Sequence, residues 1–290
     1  MAVRPHAQLD MFGDMIMEFG YVVAGAEFIR PFGEGGISVS VPAGSRGNVT
    51  LRVLRSGKVN ALVGKGGELT LSVIDDSLGE GHSLGIALEI GKGGTGVCTL
   101  NSRPASTGAR FSMEVDVGEN GLAKLNVICE PKSSSLGEIS AVCGERSKLE
   151  ANMLMLPPAD GSAGLEVSVL HRGHGSASSI ECAGIARGRS VCKFRGAVDV
   201  PSGVDNAVPR MRGVFITSED ARVSAEPVMR IHSRETSASH GISIGGPGPE
   251  QIAYMMSRGI SADDAHGAYE SGLVSVMLNK MAAPLKPQND

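Results

Sequence analysis

The sequence predicts a mainly β protein in which many short strands coil into a solenoid. Forty of the 290 residues are glycine, whereas only ten are aromatic, seven Phe and three Tyr. Glycine in a helix interior costs about 1 kcal/mol relative to alanine, so this composition disfavours a mainly helical protein. From Gly36 onward, apolar and polar residues alternate over short runs bounded by glycine, serine and proline, which is typical of β-strands.

The alternating runs continue without a break to about Ile244. The clearest are ISVSV at residues 37–41, VTLRVL at 49–54, LTLSVI at 69–74, FSMEVDV at 111–117 and LEVSVL at 165–170. Many short strands at regular spacing are compatible with a sandwich, a barrel or a solenoid. Short connections such as GKGGTG favour the solenoid.

Two further patterns bear on this choice. Asn120-Gly121 stands between two alternating runs and would suit a local hairpin, but the sequence has no other strong hairpin pair. Cys192, Arg212 and His232 follow one another at intervals of 20 residues, as equivalent positions on successive coils would. The sequence therefore favours a solenoid with a coil of about twenty residues.

The last forty residues are different in character. Pro249, after a glycine-rich stretch, is suited to the first position of a helix that we expect from near Glu250 to Gly259. Ser261, followed three residues later by Asp264, predicts a capped start for a second helix. The apolar face of that helix is expected to comprise Ala265, Ala268, Tyr269, Gly272, Leu273, Val276 and Met277.

These features divide the chain into four parts. Residues 1–35 form an N-terminal segment, with a short helix expected over residues 9–19. Residues 36–247 form the β-solenoid core, and residues 248–284 form a helical segment. Residues 285–290 are expected to be a frayed tail.

Charge and hydropathy exclude several classes of function. The net charge is −4, so the chain has no overall basic field that would attract nucleic acid or an anionic membrane. No uncharged stretch reaches the roughly 18 residues that a membrane-spanning helix needs. A basic leader followed by an apolar run is also missing from the start of the sequence, so we expect a cytoplasmic location.

Three motifs resemble chemical sites but have simpler interpretations. Residues 91–96 satisfy G-x-G-x-x-G, yet strand-like residues follow them instead of a helix, so we expect a turn and no dinucleotide site. His171 and His174 form an H-x-x-H pair without further ligands nearby, and we expect them to be solvated loop histidines. Five cysteines without a C-x-x-C pair indicate reduced, mostly buried thiols.

The C-terminal third resembles a known family over about one hundred residues without a gap. The matching elements are Arg195-Gly196, Asn206-Ala207, Ser218-Glu219-Asp220-Ala221, Pro227, Ser239-His240-Gly241, and Glu250-Gln251 with the helix that ends in Ser257-Arg258-Gly259-Ile260. In this order they resemble the core domain of the SufB/SufD iron-sulfur assembly proteins. Upstream of about Ser178 the sequence shows only a compatible β-rich pattern.

The resemblance implies both a fold and a function. It implies a right-handed parallel β-helix whose C-terminal helices dock a SufC-like ABC ATPase. Two cores would pair through their last coils, and a transient iron-sulfur cluster of the [4Fe-4S] type would be built near the junction. The short chain resembles the small single-paralogue members, which implies a noncatalytic scaffold that pairs with itself as a homodimer.

The family's ligand positions are only partly occupied. The resemblance places His240 on a histidine that SufD members are thought to use at the junction. Arg212 stands where SufB members have a cysteine proposed as a ligand, and Gly241 stands where they have a glutamate. Ala238 likewise replaces a cysteine that often precedes the histidine by two residues.

A thiolate must therefore come from elsewhere, because thiolates are the usual ligands of iron-sulfur clusters. If the twenty-residue spacing is correct, Cys192 lies one coil before Arg212 on the same face. We therefore expect Cys192 and His240 as ligands, doubled by twofold pairing, with Cys182 and His232 as weaker candidates.

Two alternatives remain open. A β-helix could be a carbohydrate-active enzyme, although an aromatic fraction of 3% and no tryptophan leave few surfaces on which sugars could stack. The chain could also be an adaptor that docks the ATPase without holding a cluster.

Overall fold

The structure is a computed structural model that describes residues 20–24, 28–31, 36–78, 81–218 and 220–285. The helix that we expected over residues 9–19 lies outside these residues, as does nearly all of the expected tail. No helix in the described part of the chain is both long enough and apolar enough to cross a membrane.

Most of the described residues form β-strands. In chain order the strands are β1 (Gly20–Ala24), β2 (Ile29–Pro31), β3 (Gly36–Val41), β4 (Arg46–Val53), β5 (Gly57–Val63), β6 (Glu68–Asp75), β7 (Ser83–Ile90), β8 (Thr95–Ser102), β9 (Thr107–Val117), β10 (Leu122–Cys129), β11 (Ser134–Cys143), β12 (Lys148–Met155), β13 (Ser162–His171), β14 (Ala177–Ala186), β15 (Val191–Val200), β16 (Val208–Thr217), β17 (Arg222–Ile231) and β18 (Ser239–Gly245). Two helices follow, α1 (Pro249–Ser257) and α2 (Ala262–Ala282).

The strands build a β-solenoid, as the sequence predicts. Sheet A runs β1-β4-β6-β8-β10-β12-β14-β16-β18, and sheet B runs β17-β15-β13-β11-β9-β7-β5-β3-β2. From β3 onward each strand pairs in parallel with the strand two places along the chain, for example β10 with β12. From β3 to β18 the chain therefore crosses from one sheet to the other at each corner and does not fold back as a hairpin.

The inner faces of the two sheets form one continuous core. Alternate residues point inward, and one interior column contains Leu100, Val127 and Met153 without measurable exposure. The period-two alternation of the sequence reports this geometry, because one face of each strand is buried and the other is open or covered by a helix.

The coil is longer than the sequence suggested. Register partners are 22 residues apart between Val49 and Leu71, but 31 residues apart between Ile180 and Met211. The prediction of a twenty-residue ladder is wrong, since Cys192 lies on β15 of sheet B whereas Arg212 lies on β16 of sheet A. Both the strands and the corner segments are longer in the later coil, and a short alternating run does not reveal either length.

Two motifs that could have formed a dinucleotide site or a hairpin, residues 91–96 and Asn120-Gly121, instead lie at corners of the solenoid. Residues 91–94 form the corner between β7 and β8, with Gly93 at φ 65°, and a strand follows as predicted. Asn120 also adopts a left-handed conformation, with φ 54°. The hairpin suggested by Asn120-Gly121 does not form, because β9 and β10 belong to different sheets.

The two ends of the solenoid differ. At the N-terminal end, β1 and β2 are short and pair antiparallel with β4 and β3. At the C-terminal end, β17 and β18 are the last strands of sheets B and A. Their apolar side chains Val223, Met229, Ile231 and Ile242 pack against the core on one side only and remain partly exposed.

The two helices begin where the sequence predicted. Pro249 occupies the first turn of α1, and the Ser261 hydroxyl accepts a hydrogen bond from the Asp264 backbone N–H at 3.1 Å at the start of α2. Helix α2 lies on the outer face of sheet A, where Met277 packs with Leu154 and Ala183. The expected apolar face is only partly correct, because Tyr269 and Val276 are 40% and 54% exposed.

Candidate functional site

The candidate site is the open end of the solenoid formed by β17 and β18. His240 lies on β18 in register with Met211, a fully buried residue of β16. Because Ile242 packs against the core and side chains alternate along a strand, His240 shares the inner face of β18 with Ile242 and Ile244. No strand of the described chain follows β18 in sheet A, so the imidazole is exposed there.

The other predicted ligands do not meet His240. His232 directly follows β17, where its backbone N–H donates to Val200 O at 2.9 Å, and its side chain is exposed. Cys182 lies inside sheet A, in register with Gly213 and, one strand further, with Ile242. Cys192 lies inside sheet B on β15, opposite the sheet that carries His240.

Cys182 and Cys192 instead lie next to the same methionine in the interior of the solenoid. Both Sγ atoms contact the Met155 Sδ atom, at 3.7 Å from Cys182 and 3.9 Å from Cys192. Burial raises the pKa of Cys192 to about 12 and the pKa of Cys182 well above its ordinary value. Both groups are therefore neutral thiols in this conformation, and Gly213 and Ile242 separate Cys182 from the open end.

The remaining thiols are equally enclosed. Burial raises the pKa of Cys98 and Cys143 to about 12, and that of Cys129 to about 11. All five cysteines of the chain are buried and unpaired, which confirms the prediction of reduced, buried thiols. Among the described residues, no three His, Cys, Asp or Glu side chains are grouped to hold a metal ion.

Arg212 and Gly241 are brought together by the fold. They are register partners on β16 and β18, and Arg212 is also the partner of Glu181 on β14. A Cβ atom added at Gly241 would meet no atom within 4 Å. The two positions at which the resemblance expects a cysteine and a glutamate are therefore neighbours, and here they carry a cation and an open space.

The histidine pair upstream has a structural role. His171 is fully buried, and its Nδ1 and Nε2 atoms lie 2.8 Å from the hydroxyls of Ser176 and Ser178. Burial lowers the pKa of His171 to about 4, so the ring is neutral. The expectation of a solvated loop residue is wrong for His171 but correct for His174, whose side chain is 61% exposed.

The helical segment presents an apolar surface away from the core. Helix α1 buries none of its residues, and Tyr254, Met256 and Ile260 are 61%, 52% and 38% exposed. The Arg258 guanidinium lies 5.3 Å from the centre of the Tyr254 ring, a cation-π distance. Within the described residues, α1 contacts the rest of the molecule mainly through α2.

Comparison with known proteins places this geometry in a family. Residues 105–269, more than half of the chain, match the family described as SUF system FeS cluster assembly, SufBD core domain. The chain belongs to the SufBD family. Membership of an iron-sulfur cluster assembly family agrees with the resemblance in the C-terminal third and extends it upstream through β9. It favours cluster assembly over the carbohydrate-active alternative.

Two curated relatives of this SufBD-family chain support the assignment. The iron-sulfur cluster assembly protein SufD of Bacillus subtilis (strain 168) is 28% identical over 114 residues, which is 39% of this chain and 26% of that protein. The iron-sulfur cluster assembly SufBD family protein ycf24 of Galdieria sulphuraria is 25% identical over 141 residues, 48% of this chain and 64% of that protein. The chain thus spans less than two thirds of the length of each.

Proposed function

We propose that this protein is a noncatalytic scaffold subunit for iron-sulfur cluster assembly in the cytoplasm. In this proposal two copies pair through their open solenoid ends, a cluster is built at the junction, and a SufC-like ABC ATPase docks on α1 and α2. The observation that carries the proposal is the uncovered last coil, which presents His240 beside the neighbouring pair Arg212 and Gly241 in a chain of this family.

The asymmetry of the solenoid supports pairing into a closed dimer. The outer edges of β17 and β18 present backbone groups and partly covered apolar side chains that a second copy could cover. The other end is built from short antiparallel strands with a different shape. Contact of like ends about a twofold axis closes the assembly, whereas contact of unlike ends would allow filaments.

Twofold pairing would bring two His240 imidazoles to one junction. A neutral imidazole is a suitable ligand for iron, and the two rings would supply part of the set for a [4Fe-4S] cluster. Cys192 remains the proposed thiolate ligand, with Cys182 and His232 as weaker candidates. Their ligation requires the last coil to open, because both thiols are enclosed and neutral in this conformation.

Anaerobic reconstitution with iron and sulfide tests this proposal. His240→Ala should lose most of the bound iron, sulfide and cluster absorbance relative to the unchanged protein, because the imidazole faces the junction. His174→Ala, which alters another exposed histidine, is the matched control and should keep its cluster. Equal iron and sulfide content in both variants would contradict a role for His240.

A second candidate function is an ATPase-docking adaptor that holds no cluster. Two observations favour it: all five thiols are buried, and the position expected for a ligand cysteine carries Arg212. An adaptor should capture the ATPase but purify anaerobically without iron or cluster absorbance. The double variant Arg212→Cys with Gly241→Glu should then gain cluster binding, since these positions are neighbours and Gly241 has room for a side chain.

A further inference from the structure

A buried lysine holds the C-terminal end of α2 on sheet A. Lys124 lies on the outward face of β10, yet only 2% of it is exposed because α2 covers it. Its ammonium group donates a hydrogen bond to Lys280 O at 2.7 Å and another to Ala283 O. The sequence did not single out Lys124, and its only local sign is a lysine at the outward position of an apolar strand.

The geometry of this contact is that of a helix cap supplied from another element. The last carbonyl groups of a helix have no partners within the helix and lie at the negative end of its dipole. Lys124 satisfies two of them with a positive charge. Two residues along the same strand, the Asn126 amide donates to Met281 O at 3.3 Å, and Asn152 donates to Asn126 Oδ1 at 3.2 Å.

The rest of the α2 interface is modest. Its buried apolar part consists of Met277 against Leu154 and Ala183, with partly buried neighbours. In the middle of the helix, Glu270 is paired with Arg187. Near the end, Lys280 Nζ lies 2.9 Å from Glu181 Oε2 on β14. The placement of α2 therefore depends strongly on polar contacts at its middle and at its C-terminal end, and Lys124 supplies the most buried of them.

Helix α1 depends on this placement. None of its residues is buried, and its contacts within the described chain are chiefly with α2. Any shift of α2 on sheet A therefore moves the exposed apolar surface of Tyr254 and Met256 as a unit. A residue that fixes α2 thereby also fixes the surface that α1 presents.

We propose that Lys124 is a positioning residue that locks the helical arm formed by α1 and α2 onto the solenoid, so that the exposed face of α1 is held ready for its partner. That this partner is the ATPase rests on the proposed function. The locking of α2 stands on the Lys124 and Asn126 contacts alone.

Hydrogen exchange of the full-length chain tests the lock directly. Lys124→Met keeps a similar volume but removes the charge and the donors, so amides of α2 should exchange about 10- to 100-fold faster, as expected when hydrogen bonds from a charged group are lost. Lys124→Arg retains a cationic donor and should restore much of the protection. Lys193→Met on the outer face of sheet B is the matched control and should leave α2 unchanged.

Capture of a co-expressed SufC-type ATPase separates the two proposals. If Lys124→Met speeds exchange in α2 and weakens capture more than Lys193→Met does, both proposals are supported. If amide exchange in α2 speeds up but neither the unchanged protein nor any variant captures the ATPase, the lock stands and the proposed docking partner is wrong. Unchanged exchange in Lys124→Met overturns the lock whatever the ATPase does, and so does a loss of protection that Lys124→Arg fails to restore.

Discussion

At the scale of single residues, burial decides the chemical state of the groups that the sequence offers as ligands. Cys192 and His171 are residue types that bind metals readily, yet each is enclosed by the solenoid and held neutral. His240 belongs to an ordinary strand and is exposed because no further strand of the described residues covers β18. The charge state of these groups therefore follows their burial in the solenoid more than their residue type.

His171 should make the stability of the protein depend on pH. Its pKa is lowered by burial to about 4 in the folded protein, below the ordinary value of about 6.5. The folded state therefore favours the neutral ring, and the stabilisation present above pH 6.5 is lost as the pH falls toward 4. The shift corresponds to about 3 kcal/mol.

Denaturant unfolding at several pH values measures this effect. The free energy of unfolding of His171→Gln should fall less steeply between pH 6.5 and pH 4 than that of the unchanged protein. His174→Gln replaces an exposed histidine and should keep the original slope. The assignment fails if both variants show the same slope as the unchanged protein.

At the scale of elements, the two helices of the helical arm differ in how they contact the solenoid. Helix α2 packs on sheet A through Met277 and through polar contacts at its middle and C-terminal end, whereas α1 leaves Tyr254 and Met256 exposed. An exposed apolar cluster on a helix without buried residues is typical of a binding surface. The helical arm thus joins a helix that packs on sheet A to a helix that exposes apolar side chains.

Tyr254→Asp tests whether α1 is the docking surface. The added charge should weaken capture of a co-expressed SufC-type ATPase at least about tenfold, because a central aromatic contact is lost and a carboxylate is desolvated. Leu78→Asp changes another exposed apolar residue, 75% exposed and far from the arm in sequence, and should not alter capture. Equal capture by both variants would place the ATPase elsewhere.

At the scale of the whole molecule, the solenoid is a stack whose C-terminal end is open. Each coil covers the inward side chains of the coil before it, and β17 and β18, the last strands of the described chain, leave apolar side chains such as Met229 and Ile242 partly exposed. Repeat proteins generally need their terminal coils capped for solubility. A second copy would act as that cap, which links the assembly of the dimer to the stability of the last coil.

Self-association should therefore depend on the inner face of β18. Ile244 is 47% exposed on that face, and Ile244→Arg should shift the dimer toward monomer in sedimentation velocity by placing a charge in the interface. Leu62→Arg, at a residue 44% exposed on the outer face of sheet B, should leave the dimer intact. A monomeric unchanged protein, or an unaffected Ile244→Arg dimer, would rule out pairing through this end.

Local patterns in the sequence were sufficient for the strands, the glycine corners, the starts of both helices and the family. Alternation, caps and turn residues act over a few neighbours, so they can be read without knowing the rest of the fold. The coil length could not be read in this way, because longer strands and longer corners together extend it from 22 residues at Val49 to 31 at Ile180. For the same reason the sequence wrongly placed Cys192 on the same face as Arg212.

Contacts between distant coils depended on the folded chain. The pairing of Arg212 with Gly241 spans 29 positions, and the contact between Lys124 and Lys280 spans 156. Neither leaves a periodic pattern, because the identity of a partner depends on how many residues each corner contains. Chain-local chemistry therefore determined which elements form, and their stacking determined which thiols are enclosed, where His240 is exposed and how the helical arm is held.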